Sequence, residues 1–138
     1  MENRQKIREI LTDTGLRPTR QRLDLGLLLF TGEDRHLTAE TLHEEAFRND
    51  IQISLATIYN TLHQFTDAGL LREVAVSGAK TYFDTNTGDH HHFHLADSDI
   101  VLDIPDGELR VEGIPTPPEG MKVSQVDIVV HLRSSNPE

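Results

Sequence analysis

At 138 residues, 36% of them hydrophobic, the chain is long enough for one ordinary domain or two small ones and too apolar for wholesale disorder. It has no cysteine, which excludes a disulfide frame, a thiolate nucleophile and cysteine-ligated structural zinc. The formal net charge of -10 argues against a general polyanion binder, but it is unevenly spread: residues 1–86 carry 10 basic and 13 acidic side chains, residues 87–138 carry 3 and 10, and the first 22 carry six and three.

Any nucleic-acid contact therefore belongs in the front half and uses a few placed residues rather than a broad basic field. No apolar run is long enough to span a bilayer, and the charged start, Met1-Glu2-Asn3-Arg4-Gln5-Lys6, lacks the apolar core of a signal peptide. The expectation is a cytoplasmic protein with no membrane contact.

In chain order, Ile7, Ile10 and Leu11 mark one face of a first helix that Gly15 ends. Pro18 suits the first position of a second helix running to Phe30, with Leu23, Leu27 and Phe30 inward. Thr38 is a suitable N-cap for a third helix carrying Leu42, Ala46 and Phe47. Ser54 caps a fourth, in which Leu55, Ile58, Leu62 and Phe65 recur at helical spacing until Gly69. Residues 70–76 and 80–84 then read as two strands of a hairpin turning through Ser77-Gly78-Ala79. Helices followed by a β-hairpin is the order of a winged helix-turn-helix.

Composition changes at the polar stretch Asn86-Thr87-Gly88-Asp89, taken as a hinge between a DNA-binding domain (1–86) and a dimerisation and ligand-sensing domain (87–138). Beyond it, 90–95, 100–104 and 121–132 read as strands. The prolines at 105, 115, 117 and 118 leave room for one short helix, 106–111. The expected class is α+β: an N-terminal winged helix-turn-helix domain, then a small α/β dimerisation domain. About fifty residues is near the size at which a lone domain becomes marginal, so a homodimer is expected.

The fourth helix presents Thr57, Asn60, Thr61 and Gln64 on one face, with Ser54 and Tyr59 beside them, and Asp67 is its only charge. A solvated face is usually rich in Lys and Glu, whereas hydroxyls, amides and an aromatic ring suit base edges and thymine methyls. Alone, this helix is equally well a half-buried polar helix. With a wing behind it and Arg17, Arg20 and Arg22 ahead, DNA reading is the better account.

His90-His91-His92-Phe93-His94 is the strongest chemical signal. On a strand, His90, His92 and His94 share one face and His91 takes the other. Imidazoles at i and i+2 can ligate one metal ion, and Asp84, Asp89, Asp97, Asp99 and Asp103 are near in sequence. A His-x-His metal-dependent hydrolase is the alternative. The run lacks the Asp-His continuation of the metallo-β-lactamase pattern, and there is no glycine-rich phosphate loop or Gly-x-Ser-x-Gly elbow, so no catalytic residues are assigned. His43 and His63 read as surface or packing residues.

Together these residues resemble the ferric uptake regulator family. The resemblance rests on Gly15-Leu16-Arg17-Pro18-Thr19-Arg20-Gln21-Arg22, His36-Leu37-Thr38-Ala39-Glu40, Ser54-Leu55-Ala56-Thr57-Ile58-Tyr59 and the histidine run. Within the family it is most similar to the iron response regulators of rhizobia, through Tyr59-Asn60-Thr61-Leu62, Lys80-Thr81-Tyr82-Phe83-Asp84-Thr85-Asn86, the His90-His91-His92 triplet and Asp103-Ile104-Pro105.

The resemblance implies a dimer on a double-stranded, pseudo-palindromic operator. It implies DNA contacts from Arg17, at the minor groove, and Tyr59 on the fourth helix; the chemistry and placement of Thr19, Arg20, Arg22, Ser54, Thr57 and Asn60 add them to the expected DNA-contacting set, Asn60 standing where several relatives have arginine. A divalent metal (iron, manganese or zinc) would fall on His36, Asp84, His92, His94 and Asp103, with Asp84 and Asp103 replacing glutamates. Haem would fall on His90, His91 and His92, making the protein a regulator of iron and haem homeostasis. Asp97-Ser98-Asp99 occupies the place of the family's first Cys-x-x-Cys pair, and Phe93 and Val126 stand where a second metal site has ligands.

Overall fold

Ile7 and Leu11, four residues apart, are the buried stripe of α1 (Glu2–Asp13) in a computed structural model that describes residues 2–76, 81–88, 90–98 and 100–135. The helix ends where Gly15 takes a φ of +82°, a backbone that a side chain would oppose. Thr19 caps α2 (Arg20–Phe30) by accepting a hydrogen bond from Arg22 N, so Pro18 precedes the cap instead of opening the helix. Thr38 caps α3 (Ala39–Arg48) and Ser54 caps α4 (Leu55–Asp67) in the same way. Gly69, at φ +84°, releases α4 into the sheet, and Leu70 N closes the turn onto Phe65 O at 2.8 Å.

The chain divides at Thr87–Gly88 into two compact units. In the first, β2 (Arg72–Ala75) and β3 (Thr81–Asp84) pair antiparallel, with Arg72 opposite Asp84. A two-residue strand, β1 (His36–Leu37), joins the outer edge of β3 with His36 opposite Asp84 and Leu37 opposite Phe83. Two residues are too few to show a period, and sequence reading missed this strand. The core gathers Ile7, Leu11, Leu25, Leu29, Leu42, Ile58, Leu62, Phe65 and Phe83 beneath the helices. Each such side chain contributes about 1.5–3 kcal/mol by leaving water.

Three inward expectations differ. Phe47 is 79% exposed, because Ala39, Leu42 and Ala46 are the buried line of α3 and Phe47 lies one residue off it. Leu27 and Phe30 are only partly buried against the core. The hairpin turn expected at 77–79, with Lys80, lies outside the described residues.

The second unit contains β4 (His92–Leu95), flanked by antiparallel β5 (Ile100–Asp103) and parallel β6 (Val129–Leu132). The long strand expected over 121–132 is regular only in its last four residues. A ladder can be no longer than its partner, and β4 begins at His92, opposite Val129. The short helix expected at 106–111 is a turn in which Glu108 N bonds Pro105 O at 3.2 Å and Gly107 takes a φ of +85°. No helix among the described residues is long and apolar enough to cross a membrane.

Candidate nucleic-acid interface and metal-ligating residues

The exposed side of α4 is assembled from its cap outward. Ser54 Oγ accepts from Thr57 N at 3.1 Å and donates to Thr57 Oγ1 at 2.9 Å. Asn60 and Gln64 are exposed one and two turns later. Thr61, expected on this face, is buried, and its hydroxyl donates to Thr57 O at 2.9 Å. Arg22 bridges α2 to α4: Nε and Nη2 donate to Gln64 Oε1 at 3.3 and 3.0 Å, while Nη1 donates to the Arg17 carbonyl at 2.9 Å. Arg17 is exposed, and the Arg20 side chain is 90% exposed, 4.0 Å from Asp24.

Tyr59 is half-buried, and its hydroxyl donates to Glu40 Oε2 at 2.9 Å, tying α4 to α3. That hydrogen bond holds the phenol above its ordinary ionisation range, with burial and the Glu40 charge acting in the same direction. Of the expected DNA-facing residues, Arg17, Arg20 and Asn60 are open to solvent, whereas Thr19, Arg22, Ser54, Thr57 and Tyr59 also hold the scaffold. His63 is exposed, stacked beside Tyr59 and edge-on to Phe83, and His43 is half-buried on α3.

The ligand candidates of the first unit sit together because β1 and β3 pair. His36 Nε2 lies 3.0 Å from Asp84 Oδ2, and the Asp84 side chain is buried. Beside them, Arg35 forks onto Glu45, with Nη1 donating to Oε1 at 2.9 Å and Nη2 also bonded. Glu45 raises the guanidinium pKa through that hydrogen bond, against the lowering effect of burial. Arg35 and Thr85 exchange two further bonds, Arg35 N to Thr85 Oγ1 at 2.8 Å and Thr85 N to Arg35 O at 3.1 Å.

In the second unit, His92 stands opposite Asp103 in the β4–β5 register. His90 Nε2 and His92 Nε2 approach the same oxygen, Asp103 Oδ1, at 3.2 and 3.5 Å, and their rings are 4.6 Å apart. Imidazole nitrogens and a carboxylate oxygen within 4.8 Å of one another are a donor set suited to zinc, iron or manganese. His94 turns elsewhere: its Nδ1 meets His131 Nδ1 at 3.0 Å with the rings perpendicular. His131 was not singled out in sequence, because only the parallel β4–β6 register brings it opposite His94. His91 Nδ1 accepts from Ile128 N at 3.1 Å. Asp97 Oδ2 accepts from Ser134 N at 3.0 Å. Asp89 and Asp99 lie outside the described residues.

The first unit is thus a set of helices followed by the antiparallel strand pair β2–β3, and both units carry histidine–carboxylate groups. The ferric uptake regulator family model matches residues 13–131, and the chain belongs to that family. It is 38% identical over 87 residues to the ferric uptake regulation protein of Vibrio cholerae, an alignment covering 63% of this chain and 57% of that protein. It is 35% identical over 101 residues to the corresponding protein of Cupriavidus metallidurans, covering 72% and 71%. Among solved structures, the ferric uptake regulator of Pseudomonas aeruginosa with manganese superposes with a TM-score of 0.72 at 24% identity, over 94% of this chain and 98% of that one. The Vibrio cholerae regulator gives the same TM-score and identity over 92% and 98%. Family members are transcription regulators, and nothing in these likenesses supports the hydrolase alternative.

Proposed function

We propose that the protein is a homodimeric, metal-controlled transcription regulator of iron homeostasis. Its first unit reads double-stranded DNA in the cytoplasm, and its second joins two copies and senses the ion. The observation that carries this reading is the donor chemistry: His36 beside Asp84 in one unit, and His90 and His92 around a single Asp103 oxygen in the other. The ion is assigned to His36, Asp84, His92 and Asp103. His94 is the variable member, and because its Nδ1 is turned to His131, Nε2 is the atom it would offer. A bound iron, manganese or zinc ion supplies positive charge that these ligands share. The solved relatives holding manganese and iron support that choice.

On the DNA side, Arg17, Arg20 and Asn60 make contact first. Arg22, through Gln64 and the Arg17 carbonyl, fixes the spacing of the arginine loop and α4. Thr19, Ser54, Thr57 and Tyr59 complete the surface, and two copies would read a pseudo-palindrome. Six large apolar side chains exposed on the second unit support its role in joining the copies.

Haem control through His90, His91 and His92 is what the likeness to iron response regulators adds. Two observations favour the metal. His91 Nδ1 accepts a backbone hydrogen bond, so a neutral His91 carries its proton on the other nitrogen, the usual haem ligand atom. The cavity beside His90 and His91 holds about 150 Å³, against roughly 300 Å³ and more for ordinary organic ligand pockets.

The test is operator binding by the purified protein with Mn(II), with chelator and with haem. Mn(II) is expected to tighten binding by about 5–150-fold, and Asp84→Ala to remove most of that gain. Equal affinity with Mn(II) and with chelator refutes metal control, and haem-dependent release with a Soret band moves the signal to the triplet.

A further inference from the structure

Strand β6 is aliphatic except at His131, and the parallel register sets that residue directly opposite His94. Side chains alternate along a strand, so His131 shares a face with His92 and His94, while Val130 and Leu132 take the other face with Phe93 and Leu95. The two rings stand perpendicular, with Nδ1 of one 3.0 Å from Nδ1 of the other. Two lone pairs do not attract, and two N–H groups do not fit at that distance. One hydrogen therefore lies between them.

The neighbouring histidines show what sets this contact apart. His90 Nδ1 lies 2.6 Å from the Gly88 carbonyl oxygen, which can only accept, so the hydrogen is on Nδ1. His91 Nδ1 accepts from Ile128 N, so a neutral His91 carries its hydrogen on Nε2. Backbone decides the tautomer of both rings. His94 has an imidazole for a partner, and that nitrogen can either donate or accept. If His131 donates, a neutral His94 carries its hydrogen on Nε2 and is closed to a metal there. If His131 accepts, the hydrogen is on His94 Nδ1 and the Nε2 lone pair is open. His131 is exposed, so the hydrogen on its own Nε2 has water to go to, and accepting leaves nothing unsatisfied.

We propose that His131 is a positioning residue for metal binding by His94. Resting on the metal reading above, with His94 as its variable ligand, His131 accepts the Nδ1 hydrogen and holds the Nε2 lone pair ready for a divalent cation. A partner on the remote nitrogen also fixes the ring's orientation and raises its basicity as a ligand. His131 itself is no ligand, because its Nδ1 is committed to His94.

Zn(II) alone, added to the full-length protein, is the probe. The readouts are the nitrogen-15 signals of the histidine rings and affinity by chelator competition. Zn(II) should bind His94 through Nε2 with Nδ1 protonated. A coupling across the hydrogen bond should link the two Nδ1 nitrogens, with that of His131 the unprotonated one. His131→Leu suits a strand but cannot accept, and should weaken Zn(II) about 10-fold, the low end for such a support because water can stand in. His131→Asn sets an amide oxygen where Nδ1 was, and should recover affinity to within roughly three-fold of wild type.

If Zn(II) shifts His92 and leaves His94 untouched, the role of His131 falls while the metal reading stands. If neither ring responds, both fall. Zinc on His131 Nδ1 itself overturns the support, as does unchanged affinity in His131→Leu. Equal losses in His131→Leu and His131→Asn overturn it too, since an acceptor at that place would then make no difference. The wild-type ring signals decide the matter if either variant fails to fold.

Discussion

The first unit closes around thirteen buried apolar side chains drawn from all four helices and the sheet, Ile7, Leu42, Phe65 and Phe83 among them. The second, among its described residues, buries only Val101 and Ile104 as aliphatics, and beside them His90, His92 and His94. The exposed side shows the reverse. Phe47 is the one large hydrophobic exposed on the first unit among the described residues, whereas Ile100, Leu102, Ile114, Met121, Val123 and Leu132 are all exposed on the second. One half of the chain satisfies its hydrophobic surface internally. The other puts polar, ligand-capable groups where a core would be and leaves its apolar groups outside, so its stability must come from something added: a second copy, an ion, or both.

The largest expected effect breaks that comparison directly. A fragment of residues 1–87 should unfold cooperatively, whereas a fragment of residues 88–138 should show no cooperative transition as a monomer. Circular dichroism and sedimentation of the two pieces check this. In the full chain, Leu102→Asp, on the exposed face of β5, should shift the protein to monomer without unfolding the first unit. A cooperative transition in a monomeric 88–138 fragment would falsify the contrast.

A smaller effect tests how tightly the first unit is filled. A Cβ added at Gly26 would stand 2.5 Å from Ile7 Cγ2, and Ile7 is fully buried. Alanine in a helix is favoured over glycine by about 1 kcal/mol, but overpacking a filled core costs about 1–3 kcal/mol. The contact should win because Ile7 has nowhere to retreat, so Gly26→Ala should lower the urea midpoint without changing the slope. A raised midpoint would mean that α1 can slide away and that the first unit is looser than its burial implies.

The same contrast explains what could be read from sequence. The helices announce themselves through caps and stops, as at Thr38, Ser54 and Gly69, because these are local events in which one side chain or one φ decides the outcome. Phe47 misleads by size: the positions 39, 42 and 46 already define the stripe, and the large neighbour falls outside it. Thr61 misleads by polarity, since it meets its hydrogen bond within the helix and is free to be buried.

In the second unit little is local. The four histidines are conspicuous, but their partners are set by register. His92 meets Asp103 through an antiparallel ladder, and His94 meets His131, thirty-seven residues away, through a parallel one. Neither spacing carries a sequence signature. The pairing of His36 with Asp84 likewise depends on the two-residue β1, which has no period to detect.

The smallest effect sharpens the comparison inside the first unit, by asking whether the face of α4 is itself internally tied. Tyr59 donates to Glu40 across α3 and α4, a bond that needs the phenolic proton. Folding raises the phenol's pKa, first through that hydrogen bond, then through burial, then through the Glu40 charge. A group whose pKa rises on folding contributes stability in full below its unfolded pKa and loses it as pH rises through the folded value. The tie is therefore intact at neutral pH and fails only in the alkaline range. Ultraviolet titration of phenolate absorbance, in a Tyr82→Phe background so that Tyr59 alone reports, should place ionisation above the ordinary tyrosine range. Glu40→Gln should lower it by removing both the charge and the stronger acceptor. Neutral-pH stability should change little on adding Glu40→Gln, because Tyr59 is only half-buried and water replaces the lost acceptor. If Glu40→Gln leaves the titration where it was, the phenol is not held by α3 in solution, and Tyr59 belongs wholly to the open surface of α4.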